Sequence, residues 1–415
     1  MDNLEKVVII GGGLAGAKTA EALRKKGFAG TIDLVDGEDH LPYERPPLSK
    51  TYLAGEEPFE KALVHTGDWY GAHEVTLHQN RRATGIDIQA RTVALDDGQV
   101  LPYDKLVLAT GSAARHLPLE GAEASNVHYL RTVDDAEAIR ATFGVGRRLV
   151  LIGGGWIGLE VAAVARTAGT AVTILEAGKL PLIQVVGEEV AEVFANLHRR
   201  HGVDLRTNVK VVGIETCDGM ATGVRLEDGE VVEADAIVIG IGTVPRLDLA
   251  GDAGLAVDNG VLVDAELRTS DPDIFAVGDI ANQDHPILGY RVRVEHWATA
   301  LNQPKTVATT ILGQSTPYTE LPYFYTDQYG REGNYELSCE YIGHVAQGVE
   351  TRLVVRGDLD SLEFVAFWLD LDNHLLAVMP VNTWDVIDQV KGLIADRRMV
   401  DPAKLANSEV PYSSL

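Results

Sequence analysis

The sequence predicts an α/β fold in which one strand–turn–helix unit occurs twice, followed by a smaller α+β domain. The first observation is a pair of glycine-rich turns, residues 11–16 and 153–158, each between an apolar strand and an Ala- and Leu-bearing helical stretch. The second is a repeated hairpin and closing strand downstream of each turn. The third is the change to an aromatic, alternating pattern beyond about Gln314.

The two glycine-rich turns have the spacing of dinucleotide-binding turns. Their glycines permit a tight turn, a close approach of backbone to a pyrophosphate and close packing of helix on strand. The phosphates then face unpaired N–H groups and the positive dipole end of the helix. Asp36 and Glu176 end the next strands, where a carboxylate accepts hydrogen bonds from ribose hydroxyls. One such turn also arises from tight packing alone, but two complete contexts predict two dinucleotide sites, as in a flavoenzyme that oxidises a nicotinamide.

Each predicted unit ends in a similar way. Asp97-Gly98 and Asp228-Gly229 are hairpin turns, and each hairpin precedes an apolar strand that ends near a glycine, Gly111 or Gly242. The shared spacing predicts one unit used twice, with domain boundaries near Ser112 and Gly242.

A third apolar segment, residues 269–279, has no counterpart within the second unit. We expect it to return the chain to the first domain. Asp279, at its end, is placed either to point at a ligand hydroxyl or to cap a helix. In the C-terminal domain, strands are expected at 353–356 and 363–369.

Composition limits the class of protein. A chain of 415 residues, 46% of them hydrophobic, can form two or three folded domains. Its 36 basic and 61 acidic residues give a net charge of −25, which disfavours nucleic acid and anionic membranes as partners. The first strand starts at Val7, so no signal peptide is expected, and no apolar run approaches membrane-spanning length, which predicts a cytoplasmic protein. The sequence leaves the oligomeric state open between a monomer and a weak dimer.

The cysteines exclude one kind of redox chemistry. Cys217 and Cys339 lie far apart, and neither has a second thiol nearby. Flavoproteins that reduce disulfides need two close thiols. Flavoproteins of the peroxidase type need one thiol in the loop that follows the acidic residue of the first unit, and the loop after Asp36 has no cysteine here. We expect both cysteines to be buried. No His, Cys and Asp cluster has metal-site spacing, so no metal is expected.

Five segments resemble one family of flavoenzymes. They are the loop Leu-Pro-Tyr-Glu-Arg-Pro-Pro-Leu-Ser-Lys at residues 41–50, which is the most diagnostic, and residues 109–111, 153–160, 269–279 and 294–297. The chain resembles, over nearly its whole length, the FAD-dependent, NADH-oxidising ferredoxin reductases of bacterial cytochrome P450 and aromatic-ring dioxygenase systems. The resemblance implies FAD and NADH as cofactors and a [2Fe–2S] ferredoxin as electron acceptor.

The resemblance also implies the architecture. The expected fold is glutathione-reductase-like, with two Rossmann-type dinucleotide-binding domains and a C-terminal α+β domain beside the flavin. The FAD domain would comprise residues 1–112 and 243–317, the NADH domain residues 113–242, and the C-terminal domain residues 318–415.

Site residues follow from the same resemblance. Those expected at FAD are Gly11, Gly13, Leu14, Ala15, Gly16, Asp36, Arg45, Lys50, Ala83, Ala109, Thr110, Gly111, Arg131, Asp279 and Trp297. Those expected at NADH are Gly153, Gly155, Trp156, Ile157, Gly158, Glu160, Glu176 and Gly242.

Lys50 and Glu160 are the expected catalytic residues. A cation near the flavin stabilises its anionic reduced form, and the carboxylate would pair with that cation near the nicotinamide. Three assignments have a plainer alternative. Lys50 is otherwise a surface lysine, Glu160 an acid favoured by its helix dipole, and Arg131 the neighbour of Thr132, which begins a helix and can cap it.

Glu176 predicts the coenzyme. A carboxylate there hydrogen-bonds a free 2′-hydroxyl and repels a 2′-phosphate, so NADH is favoured over NADPH. Lys179 lies close enough in sequence to soften this preference.

Three residues depart from the family pattern. Tyr323 and Tyr325 stand where many relatives carry tryptophan, and Pro304 stands where relatives usually have a small residue. The tyrosines keep an aromatic face, and the proline removes a donor and can bend its helix.

These departures leave the electron acceptor open. The alternatives are rubredoxin, a small molecule such as a quinone or oxygen, and an NADH-switched interaction protein resembling apoptosis-inducing factor. Because ferredoxins are usually acidic, as this chain is, we expect a local basic docking patch that uses Arg291, Arg293 or Lys391, or a mainly apolar contact.

Overall fold

The structure is a computed structural model that describes residues 4–331 and 334–415. Its helices are α1 (Leu14–Lys25), α2 (Gly67–Ala72), α3 (Val133–Arg140), α4 (Trp156–Thr167), α5 (Ile183–Arg200), α6 (Asp248–Asp252), α7 (Trp297–Ile311), α8 (Ile387–Ala395) and α9 (Pro402–Ala406). Short 3₁₀ turns at Pro46–Ser49 and Gly278–Ile280 matter for the sites described below.

The strands, in chain order, are β1 (Lys6–Ile10), β2 (Thr31–Val35), β3 (Val75–His78), β4 (Ala83–Asp87), β5 (Thr92–Leu95), β6 (Val100–Pro102), β7 (Lys105–Leu108), β8 (Ser112–Ala114), β9 (Val127–His128), β10 (Arg148–Ile152), β11 (Ala171–Leu175), β12 (Asp204–Arg206), β13 (Val211–Cys217), β14 (Met220–Leu226), β15 (Val231–Glu233), β16 (Ala236–Ile239), β17 (Thr243–Pro245), β18 (Val261–Val263), β19 (Ile274–Ala276), β20 (Ala281–His285), β21 (Tyr290–Arg293), β22 (Tyr323–Arg331), β23 (Asn334–Gly343), β24 (Arg352–Asp358), β25 (Glu363–Leu369) and β26 (Leu375–Val381).

The first of two compact units comprises the chain up to Glu44, with Glu60–Ala113 and Val244–Phe324. Its central sheet has the order β19-β7-β1-β2-β3, and all its strands are parallel. Four of the five residues of β1 are buried, as expected where both faces of a parallel sheet are covered. β19 pairs with β7, so the third apolar segment returns to the first unit as predicted.

The second unit comprises Arg45–Phe59, Ala114–Thr243 and Tyr325–Leu415. Its parallel sheet has the order β12-β11-β10-β16-β9. The strands β10, β11, β12 and β16 repeat the arrangement of β1, β2, β3 and β7, whereas the fifth strand precedes the glycine-rich turn in this unit (β9) and comes from a later segment in the first unit (β19). The hairpins at Asp97-Gly98 and Asp228-Gly229 join antiparallel strands, β5 to β6 and β14 to β15. The predicted duplication is therefore confirmed.

The C-terminal residues form an antiparallel sheet with the order β22-β23-β26-β25-β24, accompanied by α8 and α9. The strands predicted at 353–356 and 363–369 correspond to β24 and β25. The α+β prediction for this part of the chain is confirmed.

One prediction about the cysteines is wrong. Cys339 is buried, which raises the pKa of its thiol, but Cys217 is exposed. Cys217 ends β13 and pairs with Met220 across a two-residue turn, so the tip of the hairpin leaves it in solvent.

α7 continues from Trp297 to Ile311 through a buried Pro304, so the proline does not end the helix. Among residues 4–331 and 334–415, no helix is both long and apolar enough to cross a membrane. Within those same ranges, no three His, Cys, Asp or Glu side chains are grouped so that they could hold a metal ion.

Candidate functional site

The first glycine-rich turn is closed by contacts that only glycine permits. A Cβ atom on Gly11 would lie 2.1 Å from the Ala109 carbonyl oxygen, and one on Gly16 would lie 1.9 Å from the Gly11 carbonyl oxygen. Gly13, in contrast, faces open space and caps α1 without a side-chain hydrogen bond. No acidic residue lies in the first turn of α1, which begins at Leu14. This N-terminus therefore fits a phosphate that its amides can bind.

Asp36 lies against this turn. It follows β2 and is buried, and a Cβ atom on Gly12 would lie 2.0 Å from its side chain. Its Oδ1 accepts a hydrogen bond from the Glu38 N–H at 3.1 Å. A carboxylate at the end of a parallel strand, beside a glycine-rich turn, can reach a ribose. Ala83 is half-buried at the start of β4 in the same unit.

The segment that ends at Asp279 also reaches the first turn. Gly278 lies so close to α1 that a Cβ atom on it would be 3.1 Å from the Ala15 Cβ. The buried side chain of Gln303 accepts a hydrogen bond from the Gly278 N–H at 2.8 Å, which fixes the turn that presents Asp279. The sequence prediction did not include Gln303, although an amide at a core position of a helix is a signal for such a role.

Trp297 opens α7, and its indole Nε1 donates to Glu44 Oε2 at 2.8 Å, a partner that the sequence did not predict. Ala109, Thr110 and Gly111 follow β7, where Gly111 turns the chain with a φ of +65°. The first unit thus gathers the first turn, the two predicted acidic residues and the segment after β7.

The second turn repeats this construction in the second unit. A Cβ atom on Gly153 would lie 2.4 Å from the Gly240 carbonyl oxygen, and one on Gly158 would lie 2.5 Å from the Gly153 carbonyl oxygen. α4 begins with Trp156 and Ile157, again without a side-chain cap or an acidic residue in its first turn. Gly242 faces open space with a φ of +96°.

The Glu176 carboxylate is fixed beside the second turn. One oxygen accepts from the Gly154 N–H at 2.7 Å and the other from the Gly178 N–H at 2.6 Å. Lys179 forms an ion pair with Glu188 rather than with Glu176.

Lys50 and Glu160 form a buried ion pair in the second unit. Two prolines begin the 3₁₀ turn Pro46–Ser49, and Lys50 follows it directly. Lys50 Nζ lies 2.8 Å from Glu160 Oε2, and only 10% and 5% of the two side chains are exposed. Ser49 Oγ donates to the same oxygen, and the Tyr325 ring centre lies 5.4 Å from the ammonium. The pair implied by the resemblance is present, and the alternative of a surface lysine is wrong.

A buried chain of hydrogen bonds continues from Glu160. Its links are Thr326 Oγ1 to Glu160 Oε1 at 2.6 Å, Gln328 Nε2 to Thr326 Oγ1 at 3.4 Å, His198 Nε2 to Gln328 Oε1 at 2.9 Å and the Tyr329 hydroxyl to His198 Nδ1 at 2.7 Å. Burial lowers the pKa of His198 to about 4, so the imidazole is neutral. Sequence reasoning missed this chain, although the spacing of Thr326 and Gln328 places both on one face of a strand.

A cavity of about 130 Å³ lies next to the ion pair in the second unit. Lys50, Asp327, Tyr329 and Tyr335 are among the side chains that line it. Burial raises the pKa of Asp327, whose carboxylate accepts a hydrogen bond from Ser338 Oγ. The cavity has room for ordered water beside the Lys50 ammonium.

Arg131 precedes a helix that its neighbour caps. Thr132 and Asp135 form a capping box at the start of α3, and the Arg131 N–H donates to Asp135 Oδ2 at 3.0 Å. The Arg45 guanidinium donates to the Arg131 carbonyl oxygen. The structure therefore brings Arg45 and Arg131 together, and the capping role belongs to Thr132.

Two of the three predicted docking cations are used inside the first unit. Arg291 donates to the carbonyl oxygens of Val263 and Asn282. Arg293 pairs with Glu295 and is only 10% exposed. The charge of Arg293 is therefore paired within the unit, whereas Arg291 is exposed and bonds to neutral carbonyl groups, so the basic docking patch stays a prediction. Lys391 is 55% exposed and pairs with Asp388.

Comparison with known proteins gives the class. Residues 5–303 match the pyridine nucleotide-disulphide oxidoreductase family, and residues 323–415 match the reductase C-terminal family. The ferredoxin–NAD(+) reductase component of the Burkholderia cepacia anthranilate 1,2-dioxygenase system is 40% identical over 97% of each chain. The rubredoxin–NAD(+) reductase of Pseudomonas putida is 39% identical over 91% of this chain and 95% of that protein. The putidaredoxin reductase in its covalent complex with putidaredoxin superimposes with a TM-score of 0.93 and 40% identity, covering 99% of this chain and 97% of that chain.

The chain belongs to the pyridine nucleotide-disulphide oxidoreductase family. Within that class it is an oxidoreductase of the ferredoxin–NAD reductase kind, similar to putidaredoxin reductase, and its cofactors are FAD and NADH. The dithiol in the family name is not reproduced, because Cys217 and Cys339 lie in different sheets. The predicted fold class and the resemblance are confirmed.

Proposed function

We propose that the protein oxidises NADH and delivers the electrons singly to a [2Fe–2S] ferredoxin that serves a cytochrome P450 or a ring-hydroxylating oxygenase. The observation that carries this proposal is the buried Lys50–Glu160 pair, which joins the diagnostic loop to the helix of the second glycine-rich turn. A buried ion pair adds little net stability over apolar packing, so its presence supports a role in the reaction. Ferredoxin is supported by the acceptor named for the 40% identical Burkholderia relative.

The donor sets fit the two cofactors. The first turn, with Asp36 and Asp279, would hold the ADP half and the ribityl chain of FAD, and the uncapped N-terminus of α1 suits its pyrophosphate. The second turn and Glu176 would hold NADH. FAD, when bound, would accept a hydride from NADH and release electrons one at a time.

On this proposal residues 1–112 and 243–317 form the FAD domain, residues 113–242 the NADH domain, and residues 318–415 the C-terminal domain. The other residues predicted at each cofactor keep those assignments. A cytoplasmic location and a monomer or weak dimer stay predictions.

The chain's own groups would act by position and charge. Lys50 would present a fixed positive charge where negative charge develops, and Glu160 holds that ammonium in place. Because the pair is shielded from water, its field acts with little solvent screening. Ser49 and Tyr325 restrict the lysine side chain further. No side chain need act as a nucleophile or as a general base.

The test is NADH-dependent reduction of cytochrome c by the purified, FAD-loaded protein with a panel of [2Fe–2S] ferredoxins and rubredoxin. We expect at least about tenfold stimulation by one ferredoxin. A parallel sample of each carrier without the reductase controls for direct reduction by NADH.

Rubredoxin is the second candidate acceptor, favoured by the 39% identity to a rubredoxin–NAD(+) reductase. Stimulation by rubredoxin and by none of the ferredoxins would identify rubredoxin as the electron acceptor in place of ferredoxin. Fast flavin reduction by NADH without stimulation by any carrier would overturn both acceptors and favour a small-molecule reductase or an NADH-switched interaction protein.

A further inference from the structure

The hydrogen-bonded chain that ends at Glu160 is built entirely in the interior of the second unit. Thr326 and His198 have no exposed surface, and Gln328 is 1% exposed. Its members come from two elements, β22 and the last turn of α5. A polar side chain loses its hydration when it is buried, which is unfavourable unless hydrogen bonds within the protein replace those to water. Three such residues in series therefore need partners for all their donors and acceptors, or a function that offsets the loss of stability.

The carboxylate of Glu160, at one end of this series of hydrogen bonds, determines the direction of every other hydrogen bond in it. Because Glu160 is paired with Lys50 as a carboxylate, it only accepts, and Thr326 must donate its single hydroxyl proton to it. The Thr326 oxygen is then free to accept, so the amide nitrogen of Gln328 faces it.

The same logic continues to the far end. The Gln328 amide oxygen faces His198, whose Nε2 must carry the proton, and the bare Nδ1 accepts from the Tyr329 hydroxyl. Every hydrogen in the chain therefore points toward Glu160.

We propose that Thr326, Gln328 and His198 are positioning residues, whose aligned hydrogen bonds orient the Glu160 carboxylate and so fix the Lys50 ammonium for hydride transfer. Aligned hydrogen bonds polarise one another in a low-dielectric interior, so the last donor, Thr326, binds the carboxylate more strongly than an isolated hydroxyl would. Lys50 and Ser49 both contact Glu160 Oε2, whereas Thr326 donates a hydrogen bond to Oε1. Loss of Thr326 would free the carboxylate to rotate.

Other ionisable groups surround the chain. Asp327 and Cys339 interact electrostatically with Glu160, and Lys50 acts on Asp327. His201 faces His198 from the end of α5 and stacks on the Tyr329 ring at 3.6 Å. A change of charge at any of these groups would alter the electrostatic potential at the hydrogen bonds that end at Glu160.

The inference rests on the proposed function, and its test uses only the NADH half of the reaction. Thr326→Val removes the donor with little change of shape, and Thr326→Ser restores it. In anaerobic stopped-flow reduction of the FAD-loaded protein, we expect Thr326→Val to lower the limiting rate about tenfold, while the Kd for NADH stays within about twofold. Thr326→Ser should match the parent, and Gln328→Leu should give a smaller loss than Thr326→Val.

Two resting-state readouts accompany the kinetics. ¹⁵N-histidine NMR of the FAD-loaded parent should show His198 neutral with its proton on Nε2 from pH 8 down to about pH 5. The midpoint potential of bound FAD should fall in Thr326→Val and not in Thr326→Ser. A merely structural role would lower the melting temperature without moving this potential.

The outcomes separate the two proposals. A parent protein whose FAD is not reduced by NADH overturns the proposed function, and this inference with it. Normal reduction in the parent, with an unchanged limiting rate and potential in folded Thr326→Val, overturns this inference alone. A proton on Nδ1 of neutral His198 also overturns it, because the chain would then run in the opposite direction.

Discussion

Replacing Glu176 by arginine tests the coenzyme assignment in the second unit. Both carboxylate oxygens are held by backbone N–H groups, from Gly154 at 2.7 Å and Gly178 at 2.6 Å. The side chain is therefore oriented before any coenzyme arrives, which lowers the cost of binding a ribose. An arginine there reverses the charge and leaves these two N–H groups without their acceptor.

The magnitude follows from one charged hydrogen bond. Such a bond contributes about 1.5–3 kcal/mol, so Glu176→Arg should lower kcat/KM for NADH by about 10- to 100-fold. For NADPH, the same change removes a repulsion and adds a guanidinium that can bind a 2′-phosphate through two hydrogen bonds. We therefore expect the ratio of kcat/KM for NADPH to that for NADH to rise at least about 100-fold.

The assay is anaerobic stopped-flow reduction of the FAD-loaded protein with each coenzyme. Glu176→Gln serves as the control, because it keeps the size and one acceptor but removes the charge, and it should weaken NADH use without a gain for NADPH. Thermal unfolding and FAD content show whether each variant is intact. A coenzyme ratio that stays within about twofold of the parent in an intact Glu176→Arg protein would refute the assignment.

Three further predictions concern other parts of the molecule. Lys50→Met should slow flavin reduction by NADH at least about tenfold, whereas Lys61→Met at an exposed position should not, and equal rates in both would contradict the role of Lys50. Under native conditions, Cys217 should react quickly with a thiol reagent and Cys339 only after unfolding, so a fast phase that survives Cys217→Ser would show the burial to be wrong. Because the pKa of His198 is about 4 in the folded protein and ordinarily 6.5, the unfolded chain takes up the proton first as pH falls. The free energy of unfolding should therefore decrease as the pH falls from 6.5 to about 4. In denaturant titrations over this range, His198→Gln should show a smaller change of unfolding free energy with pH than the parent, and an equal change in both proteins would contradict a lowered pKa of His198.

The backbone-defined parts of the sites could be predicted from the sequence because their causes are local. Gly16 and Gly158 are required by contacts within one strand–turn–helix unit, with the carbonyl oxygens of Gly11 and Gly153, and Glu176 follows the next strand. The predicted turn at Asp97-Gly98 needs only neighbouring residues for the same reason. Such features leave a pattern in a short stretch of sequence.

The side-chain network could not be predicted, because its partners are distant in sequence. Thr326 and Glu160 are separated by 166 positions, and His198 and Gln328 by 130. A threonine or glutamine in a strand carries no local sign of which buried group it will meet. Cys217 was misplaced for a related reason, since the register of its hairpin, rather than its hydrophobicity, sets its exposure.

The hydrogen bond from Thr326 to Glu160 affects how this family can be engineered. A chimera that receives another reductase's residues from Tyr325 onward also receives that protein's side chain at position 326, and with it the group that faces Glu160. On the proposal above, a graft that is made to change the protein that accepts electrons, and that lacks a hydroxyl at position 326, would also slow the step that takes them from the coenzyme. Exchange of the C-terminal sheet between reductases would therefore require a hydroxyl donor at position 326 to be kept.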